Sequence, residues 1–522
     1  MKRIEFLWKY ERYFFALFVF FTAVPVLFNT YFPTVDGPAH LHNANLLKHL
    51  WFLNNDFARD FFDLNKHLNS NFLDHLWFAL FGLFLPVSLV EKSILLFYVL
   101  SLPYSFRFLV KRLVADERSA KLSSYLIFSF VYSFTFRIGF LNFCVGIPIL
   151  FWTLGLWIKN RDQLIAGKIL LLACLSTIVY LSHIFNFILL GIIIFVNEIQ
   201  YVLYSRKIRQ AFKQFLYPTL IVLPGVILSV LFVVSNSSFK HSPPTYLSSN
   251  RLLQMILEMS PVIALNYDKE IGYVHIIFYT ICVLLLLVAV DFFRKKKQTL
   301  LFRPYWLASL FIVLFLFFVS PDWIASGGFI SIRWALFFFL MIILLIAAKG
   351  LPPNQLVFPI AILLTTHVFY ISYHNEQTKI LSDDAETLVN AEEFMEENTV
   401  LLPLNYSNNW IQINHACYMA TQKNIVCLDN YEPTKPHFPL IWKQGEQVYD
   451  LMQKYGNRNP PCIDIDNYER ATHHKIDYLS RFCFNGDTKD SCTALIERVL
   501  KKRFELIYLS ENKKIELYKR KQ

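Results

Sequence analysis

Charged residues are scarce in this sequence. They make up 17% of its 522 residues, whereas a soluble chain usually carries ~25%. Glycine is also scarce, with 15 residues against 52 phenylalanines. Repeats of fixed period and low-complexity runs are absent from the sequence. Because so few charges cannot cover the surface of a soluble protein of this length, the composition excludes a soluble enzyme, a fibrous protein and a disordered chain.

Long apolar runs are abundant instead. The chain is 55% hydrophobic, and its mean hydropathy is +0.39. Residues 13–32, 139–158 and 276–293 are each apolar over close to the ~20 residues that an α-helix needs to cross a bilayer. No small-residue cleavage site follows the first run, so we interpret it as a retained transmembrane helix rather than a signal peptide. The sequence predicts a polytopic α-helical membrane protein.

The net charge of +11 is concentrated between the apolar runs. Basic clusters lie at 2–12, 111–121, 159–168, 206–213 and 294–303. The alternate loops contain little Lys or Arg, which is the positive-inside pattern of membrane proteins. The pattern predicts a cytoplasmic N-terminus, and the basic excess is assigned to helix orientation rather than to nucleic-acid binding.

About eleven transmembrane helices follow from this pattern. They are predicted at 13–32, 91–110, 120–136, 140–158, 167–182, 184–203, 215–234, 274–292, 304–319, 331–348 and 355–373. Segment 74–110 can be interpreted as one crossing or two, and one crossing with an interfacial helix preserves the basic-loop pattern. An odd number of crossings puts the C-terminal segment outside, with a first outside loop at 33–75 and a middle outside loop at 235–273.

Residues 375–522 have the composition of a soluble domain. Helix-like stretches at 383–397 and 492–502 alternate with strand-like ones at 400–404, 425–428, 504–509 and 514–518. This alternation predicts a C-terminal exoplasmic α/β domain after a transmembrane domain at 1–374. Five of the eight cysteines lie there, with Cys483 and Cys492 the nearest pair, and the disulfide pairing stays open. The cysteine spacing is not typical of a zinc site.

The most informative motif follows the first apolar run. It reads Asp-Gly-Pro-Ala-His from Asp36 to His40. A helix that begins near Pro38 would place both side chains on one face. Asp36 is either the N-cap of that helix, a common place for Asp before Pro, or a functional carboxylate at the membrane surface.

With this motif, the chain resembles the GT-C class of integral membrane glycosyltransferases, in particular bacterial members with Asp-Gly-Pro-Ala-His in the first loop. The resemblance implies a sugar donor linked to polyprenyl phosphate and an exoplasmic glycan, lipid or protein acceptor. It implies a bacterial cytoplasmic membrane, with Asp36 as the catalytic base and His40 as the partner that orients this base or binds the donor. Relatives often carry a second acidic residue where this chain has Gly37. No cofactor is assigned, and a role for a divalent metal stays open.

Four further residues are predicted to bind the donor phosphate or its sugar. Arg137 and Asn142 flank a short outside turn, and His183 interrupts an apolar run from 169 to 195 that is too long for one crossing. Arg333 lies near the start of a helix that has no acidic residue, where an intramembrane Arg indicates function. Each also has a structural interpretation: a snorkelling Arg at either arginine position, and a hydrogen-bonded structural His at 183.

Three other functions remain open at this stage. An O-antigen-ligase-like enzyme would use Arg and His in its central outside loop, here Arg251 and His241. A lipid or polysaccharide transporter would place polar residues at the bilayer midplane in two related halves, and the sequence has no such duplication. A non-catalytic protein of envelope glycan assembly would use the tail to recruit partners. The sequence does not specify the sugar or the acceptor.

Overall fold

The structure is a computed structural model. It describes residues 2–67, 69–205, 208–235, 243–294, 304–325, 327–443, 463–486 and 491–522. The chain forms two compact units. The helical unit consists of 1–25, 68–70 and 95–375, and the mixed unit consists of 26–67, 71–94 and 376–522. The middle-loop segment 236–242 and most of the basic cluster 294–303 lie outside the described residues.

Helices account for most of the described chain. They are α1 (Lys2–Thr22), α2 (Val24–Leu27), α3 (Gly37–Trp51), α4 (Asp56–Phe61), α5 (Leu73–Phe81), α6 (Val87–Leu113), α7 (Glu117–Ser123), α8 (Phe134–Arg137), α9 (Leu141–Asn160), α10 (Ala166–Ser182), α11 (Ile184–Ser205), α12 (Ile208–Ser235), α13 (Ser249–Leu257), α14 (Tyr267–Arg294), α15 (Pro304–Val319), α16 (Ile330–Lys349), α17 (Pro353–Ala391), α18 (Ile465–Thr472) and α19 (Ser491–Arg503).

Within the described residues, seven helices are long and apolar enough to cross a membrane, and two shorter apolar helices accompany them. They confirm a mainly helical architecture and are compatible with a multi-pass membrane protein, whereas the count of eleven crossings and their orientation stay predictions. In segment 74–110, α5 has nine residues, fewer than half of the ~20 that span a bilayer, and α6 has 27. This division suits one crossing preceded by a short helix.

Two predicted helices are interrupted in the structure. The helix expected at 13–32 ends as α1 at Thr22 and is followed only by the four-residue α2. The helix expected at 120–136 is broken into α7, a 3₁₀ helix Ser124–Phe130 and α8. Ser133 explains the second break, because its hydroxyl accepts a hydrogen bond from the Phe136 backbone N–H at 3.3 Å and so starts a new helix.

The mixed unit contains seven strands in two sheets. They are β1 (Phe62–Leu64), β2 (Thr399–Asn405), β3 (Ile425–Cys427), β4 (Leu440–Trp442), β5 (Tyr478–Phe482), β6 (Phe504–Leu509) and β7 (Ile515–Arg520). Five form one sheet in the order β3-β2-β5-β7-β6, in which β2 is parallel to both neighbours and β7 antiparallel to both of its own. The four tail strands expected from the sequence are present, and β5 was not predicted.

The first loop folds with the tail in the mixed unit. Helix α3 is buried over nearly its whole length and packs against α5 and the 3₁₀ helix His415–Ala420. Strand β1 pairs with β4 of the tail in the second, two-stranded sheet. In the structure, the first loop packs with the tail, because the buried polar side chains of α3 need hydrogen-bond partners. Whether the segments on either side of residue 374 fold independently stays a prediction.

The polar side chains of α3 find those partners in tail backbone. His42 Nδ1 donates to the carbonyl of Ala420 at 2.7 Å, and Asn45 Nδ2 donates to the carbonyl of Lys423 at 2.7 Å.

Among the tail cysteines, Cys483 carries a free thiol and Cys492 forms a disulfide. The nearest pair in sequence, Cys483 and Cys492, is therefore not bonded.

Candidate functional site

Asp36 stands at the N-cap position of α3. The side chain that satisfies the first-turn N–H of Gly37 is that of Thr34, whose hydroxyl accepts from it at 3.0 Å. Asp36 has helical backbone angles, φ −94° and ψ −17°, and among the described residues its carboxylate makes no side-chain cap hydrogen bond. Capping needs an extended N-cap residue, so the structure disfavours the capping interpretation of Asp36.

The Asp36 carboxylate is held by two side chains of the tail. Asn414 Nδ2 donates to Asp36 Oδ1 at 3.2 Å and to the carbonyl of Val35 at 3.1 Å. The hydroxyl of Tyr431 donates to the same carboxylate. Burial first, and then the negative charge of Asp36, raise the pKa of Tyr431 well above its usual value, so this hydroxyl stays a donor. Asp36 itself is half-buried, so the residue is partly accessible to solvent.

One turn along α3, His40 belongs to a buried cluster with Asp74, His75 and Glu432, which we call the His–Glu cluster. His40 Nδ1 lies 2.9 Å from Glu432 Oε1, and His75 Nε2 lies 2.7 Å from Glu432 Oε2. His75 Nδ1 is 2.6 Å from Asp74 Oδ1, and the facing nitrogens of His40 and His75 are 3.4 Å apart. The predicted partner of His40 was Asp36, whereas these distances pair its imidazole with Glu432.

An amide pair fixes Glu432 from the other side. Asn43, also on α3, donates from Nδ2 to Glu432 Oε2 at 2.8 Å and to Asn430 Oδ1 at 2.9 Å. Asn430 donates back from its own Nδ2 to Asn43 Oδ1 at 3.0 Å. This reciprocal bond sets the orientation of both amides, and with it the carboxylate that faces the two imidazoles.

The charges of the His–Glu cluster support one another. Burial lowers the pKa of an imidazole, but the adjacent carboxylates outweigh it and raise the pKa of His40 to about 9 and that of His75 to about 10. Burial raises the pKa of Glu432, but the two imidazoles outweigh it and lower it to about 2. The pKa of Asp74 is also lowered by the imidazoles against the effect of burial. Two imidazoliums thus balance two carboxylates.

The same atoms are a candidate metal-ligand set. His40, His75 and Glu432 each offer one ligand atom, and these atoms all lie within 4.8 Å of one another. Two imidazoles and one carboxylate are ligands of the kind that bind zinc and related ions.

Three of the four predicted donor-binding residues lie in the helical unit around Phe143. The guanidinium carbon of Arg333 is 5.8 Å from the Phe143 ring centre, and the His183 imidazole is 5.3 Å from it, edge to face. Asn142 directly precedes Phe143 in the sequence and is buried in the first turn of α9. The sequence therefore selected residues that the fold brings close together.

Arg333 has structural partners in that group. Its Nη1 donates to the carbonyl of Gly328 at 2.6 Å, and its guanidinium carbon lies 4.1 Å from the centre of the Phe140 ring, a distance typical of cation–π contact. Arg137 is also buried, and its charge interacts with Tyr132 and Glu270. These contacts agree with structural roles for both arginines and are compatible with a role in phosphate binding.

No family model matches this chain, and no curated protein matches it. The candidate site therefore depends on geometry alone, and the resemblance to the GT-C class stays a prediction.

Sequence reasoning missed most of the His–Glu cluster. Asp74 and His75 lie at the start of α5, where the predicted first outside loop meets a segment interpreted as a crossing or an interfacial helix, and neither residue was predicted to be functional. The segment from Asp429 to Glu432 follows a strand-like stretch, where α/β proteins place ligand groups, but Asp and Asn are equally common there as turn residues. One signal could have identified the cluster: the first loop, 33–75, contains many His, Asn and Asp residues close to the apolar residues of α3. Polar side chains that are buried beside apolar ones need polar partners.

Asp429 predicts a pH-dependent stability. It is buried just after β3, and burial raises its pKa to about 8. Because this folded-state pKa is above the unfolded value, the stability that Asp429 contributes is complete below pH ~4 and is lost as the pH rises towards about 8. Asp429→Asn does not titrate, so its stability relative to the wild type should rise by ~4 kcal/mol from pH 5 to pH 9, since the wild type loses ~1.4 kcal/mol per pH unit up to the Asp429 pKa of about 8. Thermal unfolding of the purified chain at both pH values measures this, and a constant difference would contradict it.

Proposed function

We propose that this chain is a membrane glycosyltransferase that moves a sugar from a polyprenyl-phosphate-linked donor to a glycan, lipid or protein acceptor outside the cytoplasmic membrane. The observation that carries the proposal is Asp36: a half-buried carboxylate just beyond the first helices, held by two side chains instead of capping its helix. The long apolar helices suit a donor whose lipid lies in the bilayer.

Asp36 has the chemistry of a general base for this transfer. As the bond between the sugar and the donor phosphate breaks, the acceptor hydroxyl or amine forms the new glycosidic bond and gives its proton to the Asp36 carboxylate. Asn414 and Tyr431 donate hydrogen bonds that orient this carboxylate. The polyprenyl phosphate leaves with its negative charge, which basic groups must stabilise.

The groups that the sequence predicts for a donor phosphate belong to the helical unit and lie around Phe143. Arg333 would meet the phosphate, with Asn142 and His183 binding phosphate or sugar oxygens and Arg137 adding positive charge. A guanidinium can bind two phosphate oxygens at once, which a lysine ammonium cannot do in the same planar geometry.

Substitution of Arg333 tests this assignment. Arg333→Ala should weaken binding of polyprenyl phosphate ~10- to 100-fold, because it removes a charged hydrogen-bonding group. Arg333→Lys should weaken it less, since the charge remains. Titration of the purified protein with a fluorescent polyprenyl phosphate measures both.

Arg251→Ala is the matched control, since this arginine is exposed in the middle loop and donates to Gln254. Unchanged binding in Arg333→Ala would limit Arg333 to its contacts with Gly328 and Phe140. A loss in Arg251→Ala instead would favour the ligase-like alternative, which depends on the central loop.

The proposed function as a whole is tested with purified protein in liposomes. Donors with different labelled sugars on polyprenyl phosphate are supplied together with envelope acceptors, and mass spectrometry follows release of free polyprenyl phosphate. Sugar on an acceptor supports the proposal. Movement of labelled donor between leaflets without transfer would indicate a transporter. If none of the sugars that the source cell makes is either transferred or moved between leaflets, a non-catalytic role would be indicated.

A further inference from the structure

We propose that His40, His75 and Glu432 bind one divalent transition-metal ion of the zinc type. The three side chains come from α3, from the start of α5 and from the turn after β3, and all belong to the mixed unit. Their ligand atoms converge within 4.8 Å of one another. The binding site does not depend on the proposed transfer reaction.

The geometry suits a tetrahedral ion. Metal–nitrogen bonds of ~2.1 Å put two ligand atoms of a tetrahedral site ~3.4 Å apart, and the His40 Nδ1 to His75 Nε2 distance is 3.4 Å. The Glu432 oxygens lie closer to the imidazoles, at 2.9 and 2.7 Å, as hydrogen-bonded groups do, so this carboxylate would move slightly outward on binding. Two imidazoles favour zinc-type ions over magnesium or calcium, which prefer oxygen ligands alone.

Further residues hold the ligands in place, as they do in protein metal sites. Asp74 accepts from Nδ1 of His75 at 2.6 Å, so that Nε2, which faces Glu432, is the nitrogen that would release its proton and bind the ion. A carboxylate behind a ligating histidine is the usual arrangement in zinc proteins. Asn43 donates to Glu432 Oε2 and is itself fixed by Asn430.

Charge balance is the same with and without the ion. The carboxylates of Asp74 and Glu432 are both fully buried, and buried negative charge must be compensated. One divalent ion with neutral imidazoles supplies the same charge as two imidazoliums. Direct measurement of metal binding is therefore needed to separate the two states.

An ion here would also position the proposed base. Asp36 lies one helical turn before His40, and the backbone N–H of His40 donates to the backbone carbonyl of Asp36 at 3.0 Å. Tyr431, whose hydroxyl donates to the Asp36 carboxylate, directly precedes Glu432 in the chain. Fixing His40 and Glu432 would fix both elements that hold Asp36. This positioning role rests on the proposed function, whereas binding of the ion does not.

The test is metal binding by the full-length chain in detergent. We expect about one equivalent of zinc by elemental analysis, or saturable binding of one Zn²⁺ after chelation in competition with a chromophoric chelator. Glu432→Gln and His75→Gln should lower the affinity at least ~100-fold, and Asp74→Asn, which keeps all three ligands, ~10- to 100-fold. His42→Gln is the matched control: His42 is a buried histidine on the same helix whose partner is a backbone carbonyl, and its loss should leave the affinity unchanged.

A second measurement needs no variant. Co²⁺ added to the metal-free wild type should give the visible spectrum of a tetrahedral nitrogen and oxygen site. Charge-transfer bands from thiolate would instead place the ion at free cysteines such as Cys417 and Cys427, and would overturn the assignment. Failure of the wild type to bind either ion would also overturn it, as would full affinity in folded Glu432→Gln and His75→Gln. Binding without sugar transfer would refute only the proposed function.

Discussion

Asp36→Asn is expected to lower sugar transfer by ~10²- to 10⁴-fold, because an amide cannot accept the proton of the acceptor. The change should leave the fold intact. Asn has nearly the volume of Asp and retains an oxygen that can accept from Asn414 and Tyr431, so stability should change by no more than ~1 kcal/mol. Asp36→Ala should lose transfer and also the two hydrogen bonds that join it to the tail. The measurements are transfer by purified protein in lipid and thermal unfolding of the same samples.

A surface carboxylate of the same loop provides the control for this experiment. Asp56 at the start of α4 is exposed, and its side chain lies 3.3 Å from Arg59 on the same helix. Asp56→Asn makes the same chemical change away from the candidate site and should transfer at the wild-type rate. A folded Asp36→Asn protein with full activity would refute the catalytic assignment and shift support to the ligase-like or non-catalytic alternatives.

The helices of this protein could be predicted well because they depend on local composition. The helices expected at 140–158, 167–182 and 304–319 occur within a few residues of those bounds. Hydropathy specifies which stretches avoid water, but it does not detect hydrogen bonds that end a helix. The break at Ser133 arises from a serine hydroxyl that competes with the helical backbone, so it was missed.

The candidate site could be predicted only in part. Asp36 and His40 were found because they are near each other in the chain and follow an apolar run. His75 and Glu432 are separated by 357 positions, and their proximity depends on packing of the first loop against the tail. A single sequence contains no direct signal of that packing, so the contact of His40 with Glu432 was not predicted.

The tail sheet shows the same limit at the level of strands. Strands β2, β6 and β7 were expected from short apolar runs with β-branched and aromatic residues. Strand β5, Tyr478–Phe482, includes Arg481, a residue that argues against a buried strand. In the structure this arginine is ion-paired with Glu497 and Glu516. The compensating carboxylates come from a helix and another strand, so the charge alone was misleading.

A buried ion pair in the helical unit gives the second prediction with a large effect. Arg107 of α6 donates from Nη1 and Nη2 to the two carboxylate oxygens of Glu11 on α1, at 2.8 and 2.6 Å. Both side chains are less than one tenth exposed, and the Tyr125 hydroxyl also donates to Glu11 at 3.0 Å. The pair joins two regions whose basic clusters are predicted to lie on the same side of the membrane.

Removal of the Glu11 charge should destabilise the folded protein strongly. Glu11→Gln leaves the buried Arg107 cation without its counter-charge, which typically costs ~3–5 kcal/mol. Replacing both, as Glu11→Leu with Arg107→Met, removes the unpaired charge and should recover most of that loss. Unfolding in mixed detergent measures the three variants. Glu117→Gln, which breaks an exposed pair with Lys121, is the control and should leave stability nearly unchanged. If Glu11→Gln is as stable as that control, water or lipid headgroups compensate Arg107, and the two helices do not depend on this pair for their association.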